Sequence, residues 1–508
     1  MLNKQTAINL IAQMISSFVN LGIGFLLTPF IVNNIGVESY GFVGLANNFI
    51  SYAQILTVAL NSMAGRFITI SLYQNNSEDT NKYFTSVFYA NVVMSVGLTV
   101  PLVFILIFLD HFLDIPEMIV IDVTILFGMF FANFLINIIS SVFGISTFAK
   151  NRLDLASWRN ISSDLVRVIT LVTTFSLFIP KLSYIGVATL LSTLVAVTLN
   201  IIFTKKLLPN IKINRRYFEL MKIKEILSSG IWNSITQLSQ VLSKGLNLLI
   251  SNIYIGATSM GVLSVAQTVP QVILSLFAVL SNVFAPQLTI SYAKQDKEGM
   301  QNQLLSSIKI LGIFSSIPMA ILFAYGEDFY SLWVPNQDAG LLQILSIIIC
   351  AGFTFALPLE GIWNIFTAFN KVKQTSLFLL SNSVLNIIVV LLVLPFVHDS
   401  MTKLLIIVGV EAAISIIRSL TFLPIYGAQC INIKLTAFYP AIFKHALSLI
   451  IVTLLSVLVR NYLTIDSWFT LILAAFATVI IAVIINVITV LDKNDRENIV
   501  ALVKKRGR

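Results

Sequence analysis

Charged residues are scarce in this sequence. Asp, Glu, Lys and Arg make up 11% of its 508 residues, whereas hydrophobic residues make up 57% and the mean hydropathy is +0.90. Soluble domains carry about 25% charged residues. This shortage excludes a soluble globular protein, and it leaves the lipid bilayer as the solvent of the folded chain.

Cysteine and histidine are also rare, with two and three residues in the whole sequence. Neither type occurs at the spacing of metal ligands or of a disulfide framework, and no loop clusters the acids and bases that a membrane enzyme requires. A phosphate-binding glycine loop followed by Lys is missing as well, which argues against ATP hydrolysis by this chain. We therefore predict no catalytic residues, no metal and no cofactor, and we expect a carrier driven by an ion gradient, by the membrane potential or by its own substrate gradient.

Long apolar runs, in contrast, are abundant. Crossing the hydrocarbon core takes about 20 apolar residues, and runs of this length without period-two alternation form helices and not barrel strands. Fourteen such runs predict an all-α integral membrane protein with 14 transmembrane helices. They cover approximately residues 7–32, 41–72, 83–109, 118–146, 161–180, 183–204, 227–254, 259–290, 304–325, 341–366, 376–396, 403–426, 439–461 and 468–490.

The loops between these runs differ in their basic residues. If the N-terminus is cytoplasmic, the inside loops and tails hold 23 Lys and Arg residues, whereas the outside loops hold only Lys181 and Lys403. The positive-inside rule then predicts that both termini are cytoplasmic. The net charge of +9 belongs to this basic face, so the expected partners are membrane lipids and not nucleic acid.

An internal repeat divides the chain. Residues 35–72 reappear at an offset of 220 as residues 255–292, with ten identities in 38 aligned positions that include the glycines and serine of an Ile-Gly-x-x-Ser-x-Gly turn. The repeat predicts two parallel six-helix lobes related by a pseudo-twofold axis, with the substrate path between them. The lobes are residues 1–204 and 227–426, the basic cytoplasmic linker is 205–226, and residues 427–508 add two helices and a basic tail.

Polar side chains form a stripe along the seventh run. Lys244 lies about 17 residues into it, too deep for its ammonium group to reach either surface easily, so the stripe is expected to line a cavity. Packing of Lys244 against a carboxylate is the alternative. The other members of the stripe, spaced three and four residues apart, are Asn233, Gln237, Gln240, Ser243 and Asn247.

The first two runs supply the matching groups. Gln13 and Asn20 belong to a polar stripe on the first run, and the repeat offset places Asn20 opposite Gln240 across a central cleft. Arg66 lies beside Asn61 on the second run, either in the cleft or as an interfacial arginine. We predict that these residues bind substrate together with Lys244, Gln237, Gln240 and Asn247.

Other ionisable residues are candidates for ion coupling or gating. Glu360 stands beside Pro358 and Gly361, where a broken helix suits a proton or cation site, although a pair with Arg66 or Lys244 is an equal alternative. The remaining candidates are Asp164 and Arg167, which could neutralise one another, and Glu411 and Arg418, each expected to have a partner on another helix. Three further cations near helix ends are expected to reach the lipid headgroups, namely Lys309, Lys444 and Arg460.

These features resemble the polysaccharide-transport family of the multidrug, oligosaccharidyl-lipid and polysaccharide exporter superfamily. The resemblance rests on the fourteen runs, the six-plus-six repeat, and the segments 34–41 (NIGVESYG) and 282–293 (NVFAPQLTISYA). It implies a flippase of the Wzx type that moves a polyprenyl-pyrophosphate-linked glycan from the inner to the outer leaflet of a bacterial plasma membrane by alternating access. The first run lacks the arginines typical of peptidoglycan-precursor flippases, so a capsule, O-antigen or teichoic-acid repeat unit is favoured over lipid II.

The expected partners are the polyprenyl-linked glycan, membrane lipids, H⁺ or Na⁺, and the enzymes of polymer assembly. A multidrug or organic-cation antiporter of the same superfamily is the alternative, but it should carry an acid where this chain has Lys244. A membrane polysaccharide polymerase is disfavoured because no long external loop is present.

Overall fold

The computed structural model describes residues 4–74, 76–282, 284, 288, 291–292, 295–369, 371–493 and 495–497. Within these residues the chain is 88% helical and contains no strand. Each predicted apolar run corresponds to a long helical segment, so the prediction of an all-α membrane protein is confirmed. Most of the segment 282–293, including Pro286, and the basic tail 498–508 lie outside the described residues.

Fourteen long segments, α1 to α14, follow one another along the described part of the chain. Three are composite: α7 is Leu220–Gln240 and Asn247–Tyr254, α10 is Ala339–Ala356 and Trp363–Ala368, and α12 is Ser400–Leu420 and Phe422–Ile431. The others are α1 (Lys4–Ile35), α2 (Val37–Tyr73), α3 (Ser77–Ile107), α4 (Val120–Ala149), α5 (Leu153–Leu177), α6 (Leu182–Leu207), α8 (Ala257–Asn282), α9 (Lys297–Trp333), α11 (Val372–Val393), α13 (Tyr439–Tyr462) and α14 (Trp468–Thr489).

Two of these segments are distinguished by their charge. Among the described residues, twelve segments are long and apolar enough to cross a membrane by composition alone, and the two that are not are α5 and α7. The first carries Arg159, Asp164 and Arg167, and the second carries Lys244. Ionisable residues inside membrane helices are costly and are usually retained for function, so these two helices are the first places to look for a site.

The chain forms two compact units. Unit 1 comprises Met1–Ser264 and Ser376–Leu385, and unit 2 comprises Val265–Thr375 and Asn386–Arg508. The boundaries of these units fall inside α8 and α11. The division into lobes 1–204 and 227–426 is therefore a different partition, which rests on the sequence repeat and stays a prediction.

Within unit 1, α7 packs closely along α2. A Cβ atom at Gly230 would overlap the backbone carbonyl oxygen of Ala59, so only glycine permits this crossing. Further along, the Ser234 hydroxyl donates a hydrogen bond of 2.8 Å to the carbonyl oxygen of Ile55. The close fit explains why α7 belongs to the same compact unit as α2.

Within unit 2, ion pairs join α9, α13 and the residues that follow α14. Lys309 lies 2.7 Å from Asp492 and 2.6 Å from Asp495, and Lys444 lies 2.6 Å from Asp492. At the opposite ends of α9 and α13, Arg460 pairs with Glu327 at 3.0 Å and with Asp328 at 2.7 Å. Each of the three cations near helix ends, Lys309, Lys444 and Arg460, thus has a carboxylate partner on another segment, which the sequence did not indicate, and their contact with the headgroups stays a prediction.

Buried polar side chains join the same helices between these ion pairs. Asn486 of α14 accepts a hydrogen bond of 2.9 Å from the Ser448 hydroxyl of α13 and donates one of 2.9 Å to Ser316 of α9. A polar group in a lipid-surrounded bundle is costly unless it has a partner, so these contacts favour one register of the three helices.

We predict that Asp492→Asn lowers the thermal stability of the purified protein by a few degrees at pH 7. Hydrogen bonds from Lys309 and then Lys444 lower the pKa of Asp492 to about 2. The stabilisation is therefore fully present above the unfolded pKa near 4 and is lost as the pH falls through about 2. Thermal unfolding of both proteins should differ at pH 7 and converge as the pH approaches 2, whereas Glu117→Gln, which removes an exposed carboxylate without an ion pair in the described part, should change little. Equal melting temperatures at pH 7 would show that the cluster does not stabilise the fold.

Candidate substrate-binding surface

A π turn interrupts α7 at its deepest cation. Residues Val241–Gly245 form this turn, and Lys244 lies in it with an exposed side chain. The carbonyl oxygen of Gly245, the last residue of the turn, accepts a hydrogen bond of 2.6 Å from the Tyr52 hydroxyl of α2. Single π turns inside α-helices recur at functional sites because they redirect side chains. Here the turn, held by Tyr52, sets the direction of Lys244.

The predicted stripe on α7 divides into exposed and buried members. Gln240 is exposed, and so is Lys244 one turn further along the helix. Gln237 and Asn233 are half-buried, whereas Asn247 is only 2% exposed. The structure thus places Gln237, Gln240 and Lys244 at a surface of unit 1, whereas Asn247 packs inside it.

A second cation lies further along the same pair of helices. The Asn233 side chain of α7 donates a hydrogen bond of 3.0 Å to Ser62 of α2, and Arg66 follows Ser62 by one turn. Arg66 is exposed and forms no ion pair within the described part of the chain. Asn233 and Lys244 are eleven residues apart, or roughly 16 Å along a helix. The two cations therefore lie at well-separated depths, with Gln237 and Gln240 between them.

Asn61, also predicted to bind substrate, is engaged in helix packing. Its side-chain oxygen accepts hydrogen bonds of 3.1 Å from Asn91 of α3 and 3.0 Å from Ser141 of α4. The oxygen is thus committed within unit 1.

The predicted residues of α1 and α5 form one polar group. Asn20 donates a hydrogen bond of 3.0 Å to Asp164, and Asp164 forms an ion pair of 3.4 Å with Arg167. Asn20 and Gln13 are both exposed. The placement of Asn20 opposite Gln240 across a cleft, which the repeat offset suggests, stays a prediction.

The remaining candidates meet in unit 2. Glu360 lies in a 3-10 turn, Leu357–Ile362, within α10, and both Glu360 and Glu411 act electrostatically on Arg418 of α12. The Arg418 guanidinium also donates a hydrogen bond of 3.2 Å to Ser415. The sequence did not indicate Arg418 as a partner of Glu360 because the two lie 58 positions apart, and a pair of Glu360 with Arg66 or Lys244 stays a prediction.

The repeated turn has the same structure in both copies. Gly36 and Gly256 have φ angles of 85° and 132°, which side chains rarely adopt, and α2 and α8 begin directly after them. Contacts then form between repeat-equivalent positions of unit 1. Thr258 donates a hydrogen bond of 3.1 Å to Glu38, and a Cβ atom at Gly41 would lie 2.8 Å from the Cα atom of Gly261. Repeat-equivalent residues of α2 and α8 thus contact one another within unit 1.

The sequence did not single out two residues that join helices within unit 1. Arg159 was counted as a loop residue, but α5 already begins at Leu153, and Arg159 donates a hydrogen bond of 2.7 Å to Asn200 of α6. Tyr52 was not singled out because nothing in sequence marks a tyrosine that caps a π turn on another helix. A count of the polar residues on α5 would have found Arg159, but such a count on α2 would not have found Tyr52.

Solved structures with the same fold are transporters. The chain matches the inward-facing form of a multidrug resistance MATE family transporter of the MOP superfamily with a TM-score of 0.67 and 14% identity, covering 84% of this chain and 98% of that one. It matches the lipid II flippase MurJ in an inward closed conformation with a TM-score of 0.67 and 16% identity, covering 94% and 98%. The fold is therefore that of multi-pass membrane transporters and flippases.

Sequence comparison gives the family. Residues 6–291, more than half of the chain, match the family described as polysaccharide biosynthesis protein. The chain is also 27% identical over 505 residues to the uncharacterized membrane protein EpsK of Bacillus subtilis (strain 168), covering 98% of this chain and 97% of that protein. The chain belongs to the polysaccharide biosynthesis protein family, which confirms the resemblance drawn from the sequence.

We predict that Gly261→Ala separates the ends of α2 and α8. The added Cβ atom would overlap the carbonyl oxygen of Val37, so backbone and not a flexible side chain would have to move. A cysteine at Leu45, one turn beyond Gly41 and fully buried, should then react several-fold faster with a membrane-impermeant maleimide in a background without Cys350 and Cys430. Gly97→Ala is the control, because no atom lies within 4 Å of its added Cβ. Unchanged labelling would mean that the crossing tolerates a methyl group.

Proposed function

We propose that this protein moves a polyprenyl-pyrophosphate-linked oligosaccharide from the inner to the outer leaflet of a bacterial plasma membrane by alternating access. The observation that carries the proposal is the pair of exposed cations, Arg66 and Lys244, at separate depths along α2 and α7. A capsule, O-antigen or teichoic-acid repeat unit is the proposed cargo. The termini are proposed to be cytoplasmic, and the protein is proposed to act without covalent catalysis beside the enzymes of polymer assembly.

The chemistry of such a headgroup fits these side chains. Pyrophosphate oxygens bind strongly to cations through charge-assisted hydrogen bonds, and sugar hydroxyls bind amides such as those of Gln237 and Gln240. Two cations at separate depths offer the diphosphate two successive positions, so neither position has to hold it tightly. The polyprenyl tail can stay in lipid while the headgroup moves.

Two groups are proposed to couple this movement to an ion. Protonation of Glu360 or Glu411, or a Na⁺ ion beside either carboxylate, would weaken its attraction for Arg418 and change how α10 and α12 associate. The 3-10 turn around Glu360 and Pro358 supports this role because it is a point where α10 can flex. Asp164, Arg167 and Asn20 are proposed to gate the contact between α1 and α5.

The comparisons support the transporter class without selecting the cargo. The MATE match makes a multidrug or organic-cation antiporter the second candidate. Exposed Arg66 and Lys244 disfavour it, since two cations would repel a cationic drug. Binding of a lipid-linked pyrophosphate, but not of an organic cation, by the purified protein would separate the two functions.

We predict that Lys244→Ala reduces translocation at least tenfold while the protein still inserts and accumulates. A charge-assisted hydrogen bond contributes about 1.5–3 kcal/mol, which corresponds to a factor of roughly 10 to 100. The measurement is polymer export by cells that carry only the variant, with membrane accumulation measured in parallel. Lys373→Ala, at the start of α11, is the matched control, and Lys244→Arg should retain partial export. Normal polymer output from the Lys244→Ala strain would refute the proposed binding role.

We predict that Glu360→Gln changes the ion dependence of transport and leaves headgroup binding intact. The amide keeps the size of the side chain but removes the charge that acts on Arg418. Transport by proteoliposomes should be measured under imposed gradients of pH and of Na⁺, with Glu298→Gln, at an exposed position, as the control. If Glu360→Gln responds to both gradients like the unmodified protein, Glu360 is not the ion site.

A further inference from the structure

The connection between α6 and α7 combines exposed cations with exposed apolar side chains. We call residues 205–221 (KKLLPNIKINRRYFELM) the basic strap. It begins in the last turn of α6 and runs into the first turn of α7, so it is continuous with two membrane helices. Its exposed basic residues are Lys205, Lys206, Lys212, Arg215 and Arg216.

Hydrogen bonds hold the backbone of the basic strap on α3. The Lys212 N–H donates to the Asn81 side chain at 2.8 Å, and the Lys212 carbonyl oxygen accepts from the Thr85 hydroxyl at 3.3 Å. The Glu219 N–H donates to the Ser86 hydroxyl at 2.9 Å. Thr85 and Ser86 are fully buried, so the strap has a fixed path and presents its side chains in a fixed arrangement.

The cations of the strap differ from the cations beside them. Lys82 pairs with Glu78 at 3.1 Å and with Glu219 at 3.5 Å, and Lys222 pairs with Asp79 at 3.1 Å. The five strap cations form no ion pair with any described residue, and residues 205–218 contain no Asp or Glu. Local carboxylates therefore neutralise the neighbouring lysines but leave the strap positively charged.

Large apolar side chains are interleaved with these cations. Leu220 and Met221 are 69% and 67% exposed, Phe218 is 44% exposed, and Ile213 is 39% exposed. The Arg216 guanidinium lies 4.7 Å from the ring centre of Tyr217 and donates a hydrogen bond of 2.6 Å to its hydroxyl. Exposed apolar groups are costly in water, whereas cations mixed with aromatic and aliphatic groups suit the headgroup region of a bilayer.

We propose that the basic strap binds the headgroups of anionic phospholipids and seats its apolar side chains in the same leaflet. The strap matches such a surface in charge and in polarity. Its five cations would contact the phosphate groups. Its exposed apolar side chains would contact the boundary of the acyl chains, and these are Ile213, Phe218, Leu220 and Met221. The strap shares no residue with the proposed substrate-binding surface, so the proposal does not rest on the proposed function.

The first test compares two triple variants of the full-length protein in detergent. Phosphatidylglycerol should raise the melting temperature of the unmodified protein more than phosphatidylcholine does. Lys212→Gln, Arg215→Gln and Arg216→Gln together should abolish most of that difference. The matched control neutralises three basic residues outside the strap, Lys371, Lys373 and Lys434, and should keep it. Equal stabilisation of both triple variants by phosphatidylglycerol would overturn the proposal.

The second test locates the strap directly. Phe218→Cys carries a bimane label in a background without Cys350 and Cys430, and the protein is reconstituted in phosphatidylcholine vesicles with or without an equal part of phosphatidylglycerol. Nitroxide-labelled headgroups should quench the label strongly, more so with phosphatidylglycerol, and high salt should reverse that increase. Quenching by aqueous iodide alone would overturn the proposal, as would shielding seen only in native membrane vesicles, which would indicate a protein occupant.

Discussion

The cost of placing charge in a bilayer controls the arrangement of this protein. An ionisable group at the bilayer centre costs about 2.5–3.5 kcal/mol on insertion scales, so it needs a partner or polar surroundings. Lys309, Lys444 and Arg460 meet this need with carboxylates on neighbouring segments. The side chains of Arg66 and Lys244 are, in addition, exposed. This exposure is the reason that these two cations are proposed to meet an anionic substrate.

The second constraint is the distance to which neighbouring helices can approach, and glycine residues set it. In the repeated turn, Gly36 and Gly256 supply a backbone conformation, whereas Gly41 and Gly261 supply space at the crossing of α2 and α8. Gly230 does the same between α7 and α2. The repeat therefore preserves a turn and a crossing. The turn sets where each helix begins, and the glycines at the crossing let α2 and α8 approach closely.

The proposed functional residues lie at positions at which the two copies differ. At the repeat offset, Gly24 stands opposite Lys244 and Arg66 stands opposite Pro286, which lies outside the described residues. Aligning Gly144 with Gly361 likewise sets Phe143 against Glu360. Equivalent positions build the scaffold, and unmatched charges make the proposed path asymmetric.

Hydropathy, the positive-inside count and the repeat by themselves determined the helical membrane fold, the fourteen segments and the turn at Gly36 and Gly256. These properties depend on local composition and period, which a sequence displays directly. The tertiary structure alone decided that Tyr52 holds the π turn at Lys244, that Asn20 pairs with Asp164, and that Arg418 lies near Glu360 and Glu411. It also decided that Lys309 and Arg460 have carboxylate partners. Each of these depends on which helices become neighbours, and similar apolar helices give no sign of their neighbours in sequence because van der Waals packing between them is nearly interchangeable.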